Sequence, residues 1–320
     1  MNRAATLAVG LMAASAFAAY LLQRRRRALR LLALRMPPRA VVISLKRFPA
    51  ARKAVLSRCA DANLEVPQIF EAVDGRDLSR SELERRSVRT YAGWCIPNSK
   101  FRFFDRELKW GEVGCALSHV GVWRMCAEEQ GPLIVLEDDV DFVPDFYDRL
   151  REALEEVAAL VAGGHLDPPD ALYLGRKAMR PEHDQLLPRA RDGATGGVRL
   201  CVPGFSYKTT AYVLWPTGAA KLLASNYEQK LIPVDDFLAL TYARHEAQVG
   251  EARPDLDELF ADAPRLHMLA TRPSLCRERR GISSTENSPL LSDDPQRQAK
   301  ARPKGQQAAV SVASATSGTS

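Results

Sequence analysis

A chain of 320 residues with 46% hydrophobic content is long enough to bury the core of one large domain. Its formal charge of +6 misleads, because residues 1–40 hold eight Arg and no acid; without them 37 basic residues face 39 acidic ones. The body is therefore nearly neutral and has no basic patch interleaved with aromatics, which speaks against nucleic acid as a partner.

The chain opens on Ala4 to Leu22, 19 residues without a charge, followed directly by Arg24 to Arg27. That length is close to the ~20 residues that span a bilayer, so residues 1–40 are expected to be a signal-anchor with an Arg-rich linker. A cleaved secretory signal and an acid-poor organelle transit peptide are the competing readings. The expected location is membrane-associated in the ER or Golgi lumen, although the Arg cluster after the segment favours a cytosolic domain. The six cysteines show no C-x-x-C spacing and leave the redox compartment open.

Beyond the "MPPR" break, "AVVISL" has the composition of a buried strand and ends on Lys46 and Arg47. Pro49 opens a helix through "AARKAVLSRCADA", and "VPQIFEAVDG" reads as a strand closing on a turn at Asp74-Gly75. A charged helix is expected over 79–90, irregular aromatic chain over 91–110, and a helix over 111–130. "LIVL" is then a strand buried on both faces, 145–162 an amphipathic helix, and "DALYLG" a short strand. Residues 176–200 read as a long polar loop, "AYVLW" as a strand, "TGAAKLLAS" as a helix after Pro216, and "IPVDDFLALTYA" as an acid pair entering a helix. Strands alternating with helices predict an α/β, Rossmann-type sandwich with a mostly parallel central sheet over 41–285. The small polar residues of 286–320 predict a disordered tail.

The chemistry concentrates in "PLIVLEDDVDF". Ligands of open α/β sheets bind beyond the carboxyl ends of the strands, and Glu137, Asp138 and Asp139 fall there. Clustered carboxylates raise one another's pKa unless a cation offsets them, so an oxygen-ligand site for Mn2+ or Mg2+ makes physical sense of the group; capping of the following helix is the plainer alternative. No G-x-x-x-x-G-K-[ST] occurs, which removes P-loop enzymes. "DVDFVP" has the spacing of an aspartyl phosphatase motif without its small-residue turn, leaving a magnesium-dependent phosphohydrolase a weak option.

"GEVGCALSHVGVWRMCAEEQGPLIVLEDDVDF" resembles the central signature of glycosyltransferase family 25, and "VVISLKRFPAARKAVL" (with one extra Ala after Pro49), "FEAVDGRDL", "GFSYKTTAYVLWPTGAAKLL" and "PVDDFL" resemble its other segments in the same order. The resemblance implies a GT-A-like fold, a UDP-sugar donor (UDP-galactose above all), Mn2+, and a glycan or protein acceptor. It places Glu137, Asp138 and Asp139 on the metal and diphosphate motif. Lys46, Arg47, Ala72, Val73, Asp74, Gly75, Ser118 and His119 fall on donor-binding positions, and Gly204 and Tyr207 on an acceptor or lid segment. Inverting transfer needs a base opposite the leaving group, and Asp235 or Asp236 is the candidate. A catalytically inactive relative that binds nucleotide sugar or glycan is the alternative function.

Overall fold

The computed structural model describes residues 38–190, 197–245, 252–279 and 287–293. The expected anchor lies outside the described residues, and among those described no helix is long and apolar enough to cross a membrane.

The first half follows the sequence closely. β1 (Arg39–Ser44) is buried from Ala40 onward, and α1 (Pro49–Asp61) begins on proline, whose missing N–H is no loss in a first turn. β2 (Gln68–Glu71) follows. α2 (Arg80–Arg85) is shorter than the helix expected over 79–90: the Ser79 hydroxyl accepts from Glu82 N–H at its start, and Ser87, at φ 56°, turns the chain left-handed just past its end. α3 (Trp110–Glu128) is apolar almost all round and buried accordingly. β3 (Leu133–Glu137) and β4 (Val140–Phe142) frame the acids, and α4 (Phe146–Ala162) presents Phe146, Leu150, Leu154, Val157 and Val161 as one buried stripe.

The second half departs further. β5 (Ala171–Ala178) outruns "DALYLG", and the expected polar loop contains β6 (Gln185–Leu186) and the start of β7 (Arg199–Val202). β8 (Ser206–Leu214) extends "AYVLW" by five residues at its N-terminus. After it come α5 (Pro216–Leu223), α6 (Val234–Leu240), α7 (Pro254–Leu259), β9 (Met268–Arg272) and β10 (Cys276–Glu278), the last two unforeseen as strands. Residues 287–293, inside the stretch expected to be disordered, dock on the start of α3. Trp110 N–H donates to Pro289 O at 3.0 Å, its indole N–H to Asp293 O at 2.9 Å, and Leu291 N–H to Leu108 O at 2.9 Å.

One eight-stranded sheet, in the order β2-β1-β3-β8-β5-β9-β7-β6, forms the middle layer. Six of its strands point the same way, while β8 and β7 run against them. The sheet is therefore mostly parallel in direction, in an α/β sandwich as expected. Successive residues of each central strand enter opposite cores: Val41, Val135, Tyr173 and Tyr212 pack with α3, α5 and α6, whereas Val42, Leu136, Leu172 and Val213 pack with α1 and α4. β4 and β10 pair separately as a two-stranded ribbon beside the site. All six cysteines are free thiols.

The turn after β2 and the first turn of α3 approach backbone to backbone. A Cβ on Gly75 would lie 2.3 Å from Trp110 O, and one on Gly114 2.5 Å from Val73 O. Backbone atoms cannot rotate away, so Gly75→Ala and Gly114→Ala are each expected to destabilise the fold by about 1–3 kcal/mol. Gly131→Ala, whose Cβ would meet nothing within 4 Å, is the matched control. Urea unfolding midpoints check this, and equal midpoints for all three variants would refute the close approach.

Candidate functional site

Three co-directional strands, β2, β1 and β3, deliver their carboxyl ends to one rim. β1 brings Ser44, whose hydroxyl donates to Asp138 Oδ2 at 2.8 Å, and β3 ends on Glu137. Arg58 from α1 donates to the backbone oxygens of Asp138 and Val140, at 2.7 Å each, and so fixes the acidic turn from beneath.

The two acid groups expected from the sequence converge. Asp235, in the first turn of α6, and Glu137 are joined through Thr209 of β8, whose hydroxyl lies 2.6 Å from Glu137 Oε1 and 2.9 Å from Asp235 Oδ1. A hydroxyl has one proton and can donate to only one of the two. With both groups ionised, two carboxylates would face one another across a single donor, a state that a shared proton or a cation relieves.

Asp139 points the same way. Its Oδ1 is buried with no hydrogen-bond partner, and burial, then the charges of Glu137, Glu278 and Asp138, push its pKa up to about 8. Burial, and after it Glu137, also raises Asp235; burial likewise raises Asp138. In Glu137 burial is outweighed by the His119 ring and the Thr209 hydroxyl, which hold the carboxyl below its ordinary range. Asp236 is influenced by Tyr207 as well as by Asp235. It is buried, its Oδ1 has no partner, and burial followed by the Asp235 charge raises it well above the usual carboxylate range against the opposing Tyr207 hydroxyl.

The remaining expected residues divide by place. His119 is fully buried on α3, with Nε2 3.4 Å from Glu137 Oε1 and Nδ1 2.9 Å from the Tyr212 hydroxyl. Ser118 staples the helix to the β2 turn, accepting from Val73 N–H at 2.8 Å and donating to Gly114 O at 2.6 Å. Ala72 N–H is engaged by Ser44 O at 3.0 Å, and Gly75 is taken up by its contact with α3. Arg47 pairs with Asp74 and stacks on Phe48, with its guanidinium carbon 4.2 Å from the ring centroid. Lys46 stands apart in solvent, 3.7 Å from Glu71. Gly204 N–H donates to Asp184 Oδ1 at 3.1 Å, and Tyr207 flanks Asp236.

Sequence reasoning missed Thr209, Lys208 and Glu278. Lys208 has the left-handed φ of 76° within β8 and its ammonium lies 3.1 Å from Glu278, which reaches the rim on β10. Lys208 and Thr209 lie within the quoted "GFSYKTTAYVLW", where the polar run "SYKTT" leading into the apolar "AYVL" was the available signal.

An α/β sandwich with acids gathered at its strand ends has them where ligands of such sheets bind, beyond the carboxyl ends of the strands. The model of glycosyltransferase family 25 (LPS biosynthesis protein) matches residues 38–238, and the chain belongs to that family. It is 35% identical over 256 residues to the inactive glycosyltransferase 25 family member 3 of Mus musculus, covering 79% of this chain and 40% of that protein. With the Homo sapiens protein of the same name the identity is 34% over 254 residues, with 79% and 40% covered. With a glycosyltransferase 25 family member of Drosophila melanogaster it is 32% over 270 residues, with 83% and 40% covered. The chain thus spans about two-fifths of the length of these relatives. Among solved structures, mannose-1-phosphate geranyltransferase from Thermus thermophilus covers 73% of this chain and of its own at 16% identity, with a TM-score of 0.30, too slight a likeness to carry an argument.

Proposed function

We propose that this domain is a metal-dependent, inverting glycosyltransferase that moves a hexose, galactose from UDP-galactose first among candidates, to a hydroxyl of a glycan or protein. The observation that supports this reading is the meeting of Glu137 and Asp235 at one hydroxyl, beside the partnerless buried oxygen of Asp139. That donor set, all oxygen and short of positive charge, fits Mn2+ or Mg2+.

Asp139 and Glu137 would hold the cation, with Asp138 turned toward Ser44 and placed to meet the donor ribose or sugar. When bound, the cation supplies charge neutralisation of the diphosphate that leaves. Lys208 adds a positive charge at the same rim, and Asp235 is held by Thr209 in the orientation that completes the cluster. Asp236 is the better base of the pair. Burial, and after it the Asp235 charge, raises its proton affinity, and its unpartnered Oδ1 is the atom that would take the acceptor hydroxyl's proton as the new glycosidic bond forms.

Asp236→Asn is expected to lower transfer to acceptor by about 10²–10⁴-fold while leaving Mn2+ affinity unchanged. UDP release from a panel of UDP-sugars, with and without Mn2+ and acceptor, reads both quantities. Equal turnover by wild type and variant would remove Asp236 from the reaction.

The mouse and human relatives named inactive, at 35% and 34% identity, are slightly more similar to this chain than the insect member at 32%, which supports a second reading: a domain that binds nucleotide sugar without transfer. Wild-type protein that binds UDP in calorimetry but releases none from any donor would establish that reading instead. A magnesium phosphohydrolase would turn over simple phosphate esters and be indifferent to UDP.

A further inference from the structure

The α3 side of the site carries donors of a different chemistry. Cys115 and His119 are four residues apart on that helix, so they project from one face, and Glu137 meets them from the end of β3. One ligand atom from each, the thiol sulfur, an imidazole nitrogen and a carboxylate oxygen, lie within 4.8 Å of one another. His119 is 0% exposed, and its Nε2 makes no hydrogen bond, its contact with Glu137 Oε1 at 3.4 Å being electrostatic only. Leaving a buried nitrogen without a hydrogen bond is costly, so this one, beside a carboxylate and in reach of a thiol group, marks a missing partner. Its other nitrogen is anchored: the Tyr212 hydroxyl lies 2.9 Å from Nδ1 and accepts from the Trp123 indole N–H at 3.0 Å. A metal-binding histidine is usually steered in this way from its far side.

We propose that Cys115, His119 and Glu137 form a binding site for a borderline-soft divalent cation of the zinc class, separate in chemistry from the all-oxygen set of Glu137, Asp138 and Asp139. A sulfur, nitrogen and oxygen triad with an open fourth position suits Zn2+ and Co2+, whereas Mg2+ and Mn2+ favour oxygen alone. Bonds of about 2.0–2.3 Å require the three atoms to draw slightly closer, a side-chain adjustment that the half-buried Cys115 permits. On binding, the Cys115 S–H bond breaks, a metal–sulfur bond forms and the proton leaves to buffer; His119 binds through Nε2 and keeps its proton on Nδ1, donated to Tyr212. No C-x-x-C pattern announces the site, since its third ligand comes from another element. Glu137 is common to both sets, so zinc at the triad would draw on a carboxylate that the oxygen set also uses.

The test is titration of the metal-free full chain with Co2+. One equivalent is expected to give a thiolate-to-cobalt charge-transfer band in the near ultraviolet and intense tetrahedral bands in the visible, bleached by Zn2+. Cys115→Ser should lose the charge-transfer band, and His119→Gln should weaken binding by at least about 10-fold. Binding without that band, or a band that survives Cys115→Ser, overturns the proposal. Should the variants fail to fold, alkylation of wild-type protein decides: Zn2+ is expected to protect Cys115 from iodoacetamide in peptide mass mapping, and equal labelling with and without Zn2+ rejects the site. Neither readout involves a sugar donor, so a protein inert in transfer can still bind cobalt here, and an active one can fail to.

Discussion

Asp139→Asn is expected to reduce Mn2+-stimulated UDP release by about 10³-fold or more while raising the stability of the metal-free protein above neutral pH. The activity loss follows from removing a charged oxygen where several kcal/mol of transition-state charge would be neutralised. The stability gain follows from the sign of the pKa shift. Asp139 rises from 3.8 to about 8, through burial first and then its acidic neighbours. Between those values the folded protein keeps a proton that the unfolded chain has lost, so the unfolded state binds fewer protons and stability falls as pH increases through the window. Asparagine carries no such proton and escapes the penalty. Thermal unfolding at pH 6 and pH 8.5, with chelator or with Mn2+, checks the stability effect. Wild type should gain more from Mn2+ at the higher pH, where proton release no longer competes with the metal, and the variant should gain little at either. A variant that retains both the Mn2+ shift and Mn2+-stimulated turnover would show that the cation is held elsewhere.

Asp184→Ala is expected to cost about 3–5 kcal/mol of stability, because it strands a buried guanidinium. The Arg176 and Asp184 side chains are 4% and 3% exposed and meet at 2.6 Å. Asp184 also accepts from Gly204 N–H, and Arg176 donates to the Ser206 hydroxyl at 2.7 Å, so the pair ties β5 to the segment that leads through Tyr207 to Thr209. For a domain of this size the loss corresponds to a fall in melting temperature of roughly 6–20 °C. Replacing both partners by Arg176→Met and Asp184→Leu should recover most of it, since a matched apolar pair leaves no orphaned charge. Calorimetric scans of the single and double variants distinguish this from a loop effect. A single variant within about 1 kcal/mol of wild type would mean that the pair is solvated.

That pair sits in the stretch 176–200, which reads as a polar loop because Arg176 and Asp184 are charged, and local pattern equates charge with solvent. Burial of the two together is invisible until the strands that bring them into contact are placed. The same holds at the C-terminal end, where Trp110 and Leu108 give 287–293 its hydrogen bonds although that stretch offers little to bury. β10 is three residues long, too short for any periodicity, yet it brings Glu278 to the rim and Arg277 against Asp141.

What the chain by itself determined was the first half of the sheet and the position of the acids. Aliphatic runs such as "AVVIS" and "LIVL" can satisfy two cores only as central strands, and the residue after such a run must emerge at the strand end, which is where Glu137 lies. Only the tertiary structure decided which acids work together. Because β8 enters antiparallel between β3 and β5, Thr209 comes level with Glu137, and α6 swings Asp235 to its other side while Asp236 turns inward to Tyr207. Periodicity within one element fixes the face a side chain takes; the order in which distant strands pair fixes the neighbours it meets there.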